Sequence, residues 1–281
     1  MKGSARLAGV VGWPIAQSLS PLLHGHWLAE YGIDGAYVPL PVKPEDFAAA
    51  MDGLRKSGFR GVNATVPHKE AAFALAERRD EAAGIMGAVN LLVFHEDGIE
   101  GRNTDGFGLA AALGAALGHD CLKGRIVVIW GAGGTARAAV HALSGMGASE
   151  IRILNRTKAR AEALTGLKVS AKLAAGDYGL WPQAAKDAAL LVQTTSAGMK
   201  QTSLLDLSLD GLPADAAVFD AVYNPLETGL LKRAKARGLR TVDGLGMLMH
   251  QAVPSFAAFF GVEPAVTPAL RNKLEKALTG G

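Results

Sequence analysis

A glycine-rich turn between a strand and a helix constrains the fold of this chain more than any other stretch. The segment "VVIWGAGGTARAAVHAL" places Gly131, Gly133 and Ala136 directly after an apolar strand and at the start of a helix. In this G-x-G-x-x-G/A pattern the first glycine permits a tight turn, and the second lets the backbone approach a pyrophosphate. The helix N-terminus supplies N–H groups for the phosphates. The pattern predicts a dinucleotide-binding βαβ unit; the alternative is a plain glycine-rich turn.

The next strand, "EIRILNRTKAR", indicates which dinucleotide this unit binds. An NAD site usually has Asp or Glu about 20 residues after the glycines, where it accepts from the ribose 2′-hydroxyl. Here the strand ends in Asn155, Arg156 and Thr157, and Lys158 and Arg160 follow. A guanidinium is the natural partner of a 2′-phosphate. We therefore predict NADP(H), with a solvated basic helix start as the alternative.

Strand-like and helix-like segments alternate along the chain in two series. In the first, which runs to about residue 105, "AVNLLVF" and "IEGRN" flank the turn "HEDG" of a predicted hairpin. The second begins at "RIVVIWGAGG" and continues through "EIRILNRT", "DAALLVQTTS" and "AAVFDAVYNP". Strands separated by helices indicate parallel sheets built from βαβ units. For 281 residues we expect an α/β protein of two domains.

Composition and charge argue against several other classes of protein. The 29 Lys and Arg residues nearly balance 26 Asp and Glu residues, so we expect no nucleic-acid partner and no anionic membrane surface. The dense basic run "KRAKAR" (232–237) is interpreted as a solvated helix face. The N-terminal apolar run is broken by Gly12 and Pro14, and no apolar stretch approaches the ~18 residues of a membrane span.

Cysteine and histidine usage points to a metal-free protein of a reducing compartment. The single cysteine, Cys121, excludes an intrachain disulfide. The seven histidines form no recognisable ligand set. We expect a cytoplasmic protein, a monomer or homodimer, whose partner is a small-molecule substrate.

A lysine at a helix start is the most unusual feature of the first series. In "GVNATVPHKEA" a strand-like run ends at Pro67, and the following "EAAFALAERRDEAAG" predicts one helix with Pro67 at its first position. Lys69 then lies in the first turn, at the positive end of the helix macrodipole. A cation is disfavoured there by roughly 0.3–1 kcal/mol. Helix stability therefore does not explain this lysine.

Two serines and two turn residues are further candidates. In "GWPIAQSLSPLLHGHWL", Ser20 is predicted as the helix N-cap with Pro21 at the first helical position, whereas Ser18 has no capping role. Two hydroxyls at a helix start also suit a carboxylate. Asn90 in "GAVNLLV" and Asp105 in "GRNTDGFG" are common turn formers, so each alone has a structural explanation.

Together these motifs resemble the shikimate dehydrogenase family over essentially the full length of the chain. Nine stretches in the family's order carry the resemblance: "GWPIAQSLSP", "NATVPHK", "GAVN", "NTDG", "GAGGTARA", "NRT", "TTSAGM", "YNPLET" and "DGLGMLMHQA". The resemblance implies an N-terminal α/β substrate domain with a mostly parallel sheet and a Rossmann-like NADP-binding domain. It also implies C-terminal helices that pack back on the first domain. The expected limits are residues 1–105 with 245–281, and residues 106–244.

The resemblance also implies the roles of particular residues. Substrate carboxylate and ring hydroxyls would be held by Ser18, Ser20, Thr65, Asn90, Tyr223 and Gln251. Lys69 and Asp105 would contact the substrate as the catalytic pair. NADP would be bound by Gly131, Ala132, Gly133, Gly134, Thr135, Asn155, Arg156, Thr157, Lys158 and Arg160, with Ala221 and Gly244 lining the nicotinamide.

The implied activity is the reversible NADPH-dependent reduction of 3-dehydroshikimate to shikimate, a step of aromatic amino acid biosynthesis. Lys69 would donate a proton to the developing alkoxide, held by Asp105. One alternative is a quinate/shikimate dehydrogenase that uses NAD, which Arg156 argues against. The other is a module that senses NADPH without turnover, which the presence of Lys69, Asp105 and Gln251 disfavours.

Five positions depart from the commoner family pattern: Trp13, Gly25, His68, Gln193 and Asp243. None of them removes a catalytic group. Gln193 is expected to alter the contact with the adenine side of the cofactor.

Overall fold

The computed structural model describes residues 2–199, 202 and 205–279. They form two compact units, residues 2–104 with 251–279 and residues 105–250. Both units are α/β, which confirms the predicted class. The predicted limit at residue 245 lies inside the helix Gly244–Phe260, whose second half belongs to the first unit.

The first unit contains one six-stranded sheet. Its strands are β1 (Arg6–Gly12), β2 (Gly35–Pro41), β3 (Phe59–Ala64), β4 (Arg78–Arg79), β5 (Leu91–His95) and β6 (Gly98–Arg102). They lie in the order β2-β1-β3-β5-β6-β4. The pairs β1–β2, β1–β3 and β4–β6 are parallel, and β3–β5 and β5–β6 are antiparallel. The sheet is therefore mostly parallel, and the predicted hairpin is its β5–β6 pair.

The helices of this unit come from both ends of the chain. They are α1 (Ser20–Glu30), α2 (Phe47–Lys56), α3 (Lys69–Leu75) and α4 (Glu81–Met86), followed much later by the second half of α10 (Gly244–Phe260) and by α11 (Pro268–Thr279). The indole of Trp27 on α1 donates to the Ala265 carbonyl at 3.0 Å. The C-terminal helices thus pack on the first unit, as predicted.

The single helix predicted after Pro67 is wrong, because the chain there forms α3, β4 and α4. Backbone hydrogen bonds from Glu77 to Ile99 and from Asp80 to Gly101 draw the middle of the segment onto the sheet. The Asp80 carboxylate then accepts from the Ala83 N–H at 2.7 Å and caps α4. Sheet pairing and a new cap outweigh the helix propensity of the alanines.

The two faces of this sheet have different cores. Val62 and Ala64 of β3 belong to an apolar cluster that includes Phe47 and Met51 of α2. Strand side chains alternate between faces, so Asn63 lies on the other side. That side carries an aromatic cluster of α1, β2 and α10: His24, Trp27, Tyr37, Phe256, Phe259 and Phe260.

His24 makes the stability of the first unit dependent on pH. Its ring stacks on Tyr37 at 3.8 Å between centroids, and Nδ1 has no hydrogen-bond partner among the described residues. Burial lowers the pKa of His24 from 6.5 to about 3. The unfolded chain therefore binds a proton that the folded chain does not, and stability falls as pH drops below about 6.5.

Between pH 7.5 and pH 5 this single group is expected to remove about 2 kcal/mol of unfolding free energy. The variant His24→Phe keeps the ring packing and removes the titration. Urea unfolding at both pH values should show a smaller pH dependence for this variant than for the wild type. His95→Gln, which changes a more exposed histidine, should retain the wild-type dependence; equal pH dependence in His24→Phe and wild type would contradict the assignment.

The second unit contains a six-stranded sheet in which all pairs are parallel. Its strands are β7 (Ile126–Trp130), β8 (Glu150–Leu154), β9 (Lys172–Gly176), β10 (Ala188–Gln193), β11 (Ala217–Asp220) and β12 (Arg240–Val242). The order β9-β8-β7-β10-β11-β12 is the 3-2-1-4-5-6 order of a Rossmann fold. Strands β9 and β12 were not predicted, because "KLAAG" lacks β-branched residues and β12 has only three residues.

Helices cover both faces of this sheet. They are α5 (Asp105–Leu117), α6 (Gly134–Gly145), α7 (Lys158–Glu162), α8 (Trp181–Ala184), α9 (Gly229–Ala236) and the first half of α10. One apolar cluster contains Leu109 and Val140, and the other contains Trp181 and Leu230. The described helices include none whose length and apolar character would suffice for a membrane crossing.

The basic run on α9 has a structural use. Arg233 donates to the carbonyl of Leu205 at 2.6 Å. Arg237 donates to the carbonyls of Leu209 and Leu212. The four basic residues are exposed, as predicted for a solvated face, and the guanidinium groups of Arg233 and Arg237 also hold the segment before β11 against the helix.

Candidate active site

The loops after β1 and β3 lie side by side at the carboxyl edge of the first sheet. The Thr65 N–H donates to Val11 at 3.0 Å, and the Trp13 N–H donates to Val66 at 3.1 Å. A Cβ on Gly12 would lie 2.7 Å from the Thr65 side chain, so the close approach requires glycine. The two parallel strands thus bring the loop with Ser18 and Ser20 to the same edge as Thr65.

The capping predicted for Ser20 is wrong, and Ser18 makes the local backbone contact instead. α1 begins at Ser20 with Leu19 at the N-cap position, and no side chain caps it there. The Ser18 hydroxyl accepts from the Ser20 N–H at 3.3 Å, so Ser18 has the local backbone role. Ser20 Oγ has no hydrogen-bond partner among the described residues.

Lys69 is the first residue of α3, as the first-turn prediction required. Pro67 lies in the preceding turn and not at the first helical position, because the helix begins two residues later. The Lys69 carbonyl accepts from the Val89 N–H at 3.0 Å. This bond holds the helix start beside the segment that leads into Asn90.

His68, a departure from the family pattern, packs against the segment that precedes α2 and so stabilises the start of α3. Its Nε2 lies 2.8 Å from the Val42 carbonyl, and its ring stacks on Phe47 with centroids 4.8 Å apart. The imidazole is buried. It therefore ties the α3 N-terminus to the segment after β2.

A hydrogen-bonded array connects Asn90, Thr104 and Gln251. Asn90 Oδ1 accepts from the Thr104 N–H at 2.8 Å, and Asn90 Nδ2 donates to Thr104 Oγ1 at 3.0 Å. Thr104 Oγ1 donates to Gln251 Oε1 at 3.3 Å. Three segments of the chain thus bring two carboxamides and one hydroxyl into one cluster. Thr104 was not predicted as part of it, because a threonine before a helix has many structural uses.

Asp105 follows Thr104 directly and begins α5. Its side chain is buried. A carboxylate in the first turn of a helix is stabilised by the macrodipole. The Asn90–Thr104 hydrogen bonds hold the peptide on its N-terminal side.

The glycine-rich turn of the second unit fits a phosphate ligand. Gly131 has φ of +115°, and a Cβ there would lie 2.5 Å from Thr194 Oγ1, so the fold itself requires this glycine. Gly133 and Gly134 differ, since a Cβ on either would meet no protein atom within 4 Å. Their lack of a side chain leaves open space at the N-terminus of α6. Ala136 is fully buried against the sheet.

A cavity of about 590 Å³ opens at this turn, between the ends of β7, β8 and β10. Seven of the predicted cofactor residues line it: Gly131, Ala132, Gly133, Asn155, Arg156, Thr157 and Arg160. Arg156 and Arg160 are exposed and form no ion pair with any carboxylate that the structure describes. Uncompensated guanidinium groups beside a glycine-rich turn suit a second phosphate.

The remaining predicted cofactor residues do not line this cavity. Gly134 and Thr135 form the first turn of α6. Lys158 pairs with Glu162 at 3.2 Å on α7. Gly244 packs on the Ala221 backbone, where a Cβ would lie 2.2 Å from the carbonyl oxygen.

The cavity has an aromatic wall that sequence reasoning missed. Trp130 and Tyr178 stack with centroids 3.8 Å apart and planes 4° from parallel, and both line the cavity. Trp181 meets Trp130 edge to face at 5.8 Å. Burial raises the pKa of the Tyr178 phenol, against the opposite effect of Arg156. Trp130, the aromatic residue directly before the glycines, was the sequence feature that could have predicted this wall. Other lining residues also unpredicted are Thr194, Thr195, Ser196, Ala197, Thr202, Leu205 and Asp206.

Gln193 does not line the cavity itself, so any effect on the adenine side of the cofactor would be indirect. Its side chain is fully buried. Its Nε2 donates to the carbonyls of Thr195 and Ala197, each at 3.0 Å, and Oε1 accepts from the Thr195 N–H. Gln193 therefore shapes the loop that lines the cavity without contacting it.

The loop of Tyr223 is closed by a buried carboxylate. Asp220 accepts from the Val222 N–H at 3.0 Å and from the Thr228 hydroxyl at 2.7 Å. Burial raises the pKa of Asp220, and these two hydrogen bonds act in the opposite direction. Burial also raises the pKa of the Tyr223 phenol. Asp243, another departure from the family pattern, accepts from the N–H groups of Leu245 and Gly246 at the start of α10.

No group of three or more His, Cys, Asp or Glu side chains within residues 2–199, 202 and 205–279 could hold a metal ion. The second unit carries a nucleotide-sized cavity at the switch point of a parallel sheet, where ligands of such folds bind. The fold and these sites define a two-unit α/β protein of the dinucleotide-binding class.

Comparison with known proteins identifies the family. Residues 10–92 match the shikimate dehydrogenase substrate binding domain, and residues 115–201 match the shikimate / quinate 5-dehydrogenase family. The shikimate dehydrogenase (NADP(+)) of Methylobacterium radiotolerans is 52% identical over 97% of this chain and 98% of its own length. The chain belongs to the shikimate dehydrogenase family.

Solved structures share the whole architecture. The shikimate 5-dehydrogenase of Thermus thermophilus, in complex with NADP(H) and shikimate, has a TM-score of 0.84 and 34% identity, with 98% of this chain and 99% of that chain covered. The quinate dehydrogenase of Corynebacterium glutamicum in complex with NAD has a TM-score of 0.88 and 30% identity, covering 96% and 98%. Similarity of fold alone therefore does not distinguish the two substrates or the two cofactors.

Proposed function

We propose that this protein is an NADP-dependent shikimate dehydrogenase that reduces 3-dehydroshikimate to shikimate, reversibly, in aromatic amino acid biosynthesis. The observation that carries the proposal is the Asn90–Thr104–Gln251 array beside the first turn of α3. It presents neutral carboxamides, which suit ring hydroxyls, next to the backbone of a lysine that helix stability does not explain. The 52% identical relative named above supports the same activity.

The cofactor proposal rests on charge at the end of β8. Arg156, Thr157 and Arg160 would hold the 2′-phosphate, and the Gly131–Thr135 turn would hold the pyrophosphate through its backbone N–H groups. Lys158 would add positive charge nearby. Ala221 and Gly244, which contact each other at the ends of β11 and β12, would line the nicotinamide.

The substrate proposal assigns each polar group to one part of a cyclic hydroxy acid. Ser18 and Ser20 at the start of α1 would bind the carboxylate. Thr65, Asn90 and Gln251 would bind ring hydroxyls, and the family resemblance assigns Tyr223 to the same set. Neutral donors and acceptors suit hydroxyl groups because each hydrogen bond is retained without burying a charge.

In the proposed mechanism, two residues of the chain handle the proton. NADPH, when bound, supplies the hydride that reduces the ketone carbon. The Lys69 ammonium donates a proton to the oxygen of that ketone as negative charge develops on it. The Asp105 carboxylate would orient the ammonium toward that oxygen. Acid and orienting group act as a pair in each direction of the reaction.

The purified protein tests this function directly. Loss of nicotinamide absorbance is followed with NADPH and NADH, each against 3-dehydroshikimate and 3-dehydroquinate. The highest kcat/KM is expected for NADPH with 3-dehydroshikimate. A preference for NADH with 3-dehydroquinate would favour the quinate dehydrogenase, and tight NADPH binding without turnover would favour a sensor. We also propose that the protein is cytoplasmic and that it is a monomer or a homodimer. Size-exclusion chromatography distinguishes the monomer from the homodimer.

A further inference from the structure

The buried carboxamide of Asn63 lies next to Asn90, a residue of the candidate substrate site in the first unit. Asn63 is on β3, 8% exposed, on the aromatic face of the sheet. Tyr37 on β2 reaches across β1, and its hydroxyl donates to Asn63 Oδ1 at 2.7 Å. A buried asparagine in a strand costs free energy unless its polar atoms are all partnered.

The partners of Asn63 fix its orientation. Asn63 Nδ2 donates to the Asn90 carbonyl at 3.0 Å and to Ser255 Oγ at 2.8 Å. A backbone carbonyl can only accept, so the nitrogen of the carboxamide must face Asn90. The tyrosine hydroxyl then fills the oxygen side. All three polar contacts of this carboxamide therefore specify one arrangement.

These contacts connect to two groups of the substrate site. Asn90 is the residue whose side chain holds Thr104. Ser255 lies one helical turn after Gln251 on α10, and residues four apart share a helix face. Asn63 thus contacts both the Asn90 carbonyl, which also accepts from the Ala64 N–H at 2.9 Å, and the helix that carries Gln251.

We propose that Asn63 is a positioning residue for substrate binding, acting through Asn90 and through the Ser255 contact that orients Gln251. This inference rests on the proposed function, because it takes Asn90 and Gln251 as the groups that hold the ring hydroxyls. It adds a role for Asn63, Tyr37 and Ser255, none of which needs to touch the substrate. The Asn63 carboxamide therefore affects the affinity for the substrate. It does not affect the proton transfer from Lys69.

The main test is Asn63→Ala in the full chain. KM for 3-dehydroshikimate is expected to rise at least 10-fold, with kcat within 3-fold and KM for NADPH within 2-fold of wild type. The dissociation constant of shikimate, measured by titration calorimetry, should rise in parallel. An unchanged KM and an unchanged shikimate affinity would overturn the inference.

Val62→Ala is the matched control, because Val62 is the preceding residue of the same strand, fully buried on the opposite face. It should lower stability while leaving KM for 3-dehydroshikimate unchanged. An equal rise of KM in Val62→Ala would show general loosening of the strand and would overturn the positioning role. Wild-type protein without any turnover would instead count against the proposed function.

Two milder variants keep the test valid where Asn63→Ala does not fold. Tyr37→Phe and Ser255→Ala each remove one hydroxyl partner and preserve the packing. Each is expected to raise KM for 3-dehydroshikimate by 3- to 10-fold and to leave KM for NADPH unchanged. Wild-type KM in both variants would overturn the inference.

Discussion

Replacing Lys69 with alanine is expected to lower kcat by about 10²–10⁴-fold, the usual contribution of a positioned acid or base. KM for 3-dehydroshikimate should stay within a few-fold of wild type, because the proposed proton transfer contributes mainly in the transition state. Lys69 begins α3, where the helix dipole disfavours its charge. Steady-state kinetics with NADPH measures both constants.

Lys56→Ala serves as the control, since Lys56 is an exposed lysine at the end of α2, paired with Asp52. Its kcat should equal that of wild type. Asp105→Asn should also lower kcat, and the double variant Lys69→Ala/Asp105→Asn should be little worse than Lys69→Ala, because paired groups act as one unit. Near-normal turnover of Lys69→Ala would remove the lysine from the chemistry.

Replacing Arg156 with alanine is expected to change cofactor preference more than any other single substitution. A charge-assisted hydrogen bond is worth about 1.5–3 kcal/mol, so KM for NADPH should rise by roughly 10- to 150-fold. KM for NADH should change little, because NADH has no 2′-phosphate. The ratio of kcat/KM for the two cofactors, with 3-dehydroshikimate held constant, measures the effect.

Lys172→Ala is the matched control on the same sheet, because Lys172 pairs with Glu150 at the first residues of β9 and β8. KM for NADPH and KM for NADH should both remain at wild-type values in this variant. Equal loss of NADPH and NADH affinity in Arg156→Ala would indicate collapse of the β8 turn and would contradict a specific phosphate contact.

Features that depend on neighbouring residues were predicted well. The Rossmann unit followed from a strand, a glycine turn and a helix in continuous sequence, and the cavity lies at that turn. The basic tip of β8 was also readable, because the strand and the following residues are local. The β5–β6 hairpin needed only alternation and a turn signal.

Features that depend on a partner distant in sequence were predicted poorly. Residues 70–84 have high helix propensity, yet the middle of this segment pairs with β6 and the helix breaks. The hydrogen bonds by which the buried Gln193 carboxamide shapes the loop after β10 were not predicted. The aromatic wall of Trp130 and Tyr178 joins the ends of two strands that only the sheet brings together.

Local chain order was enough to predict the α/β class, the glycine-rich turn and the basic end of β8, since propensity, φ requirements and charge act over a few residues. The tertiary structure alone decided which polar groups hold each other. Asn63, Asn90 and Ser255 meet because β3, β5 and α10 pack together. A buried hydrogen bond depends on the distance and the angle between donor and acceptor. The order of residues along the chain gives neither of these.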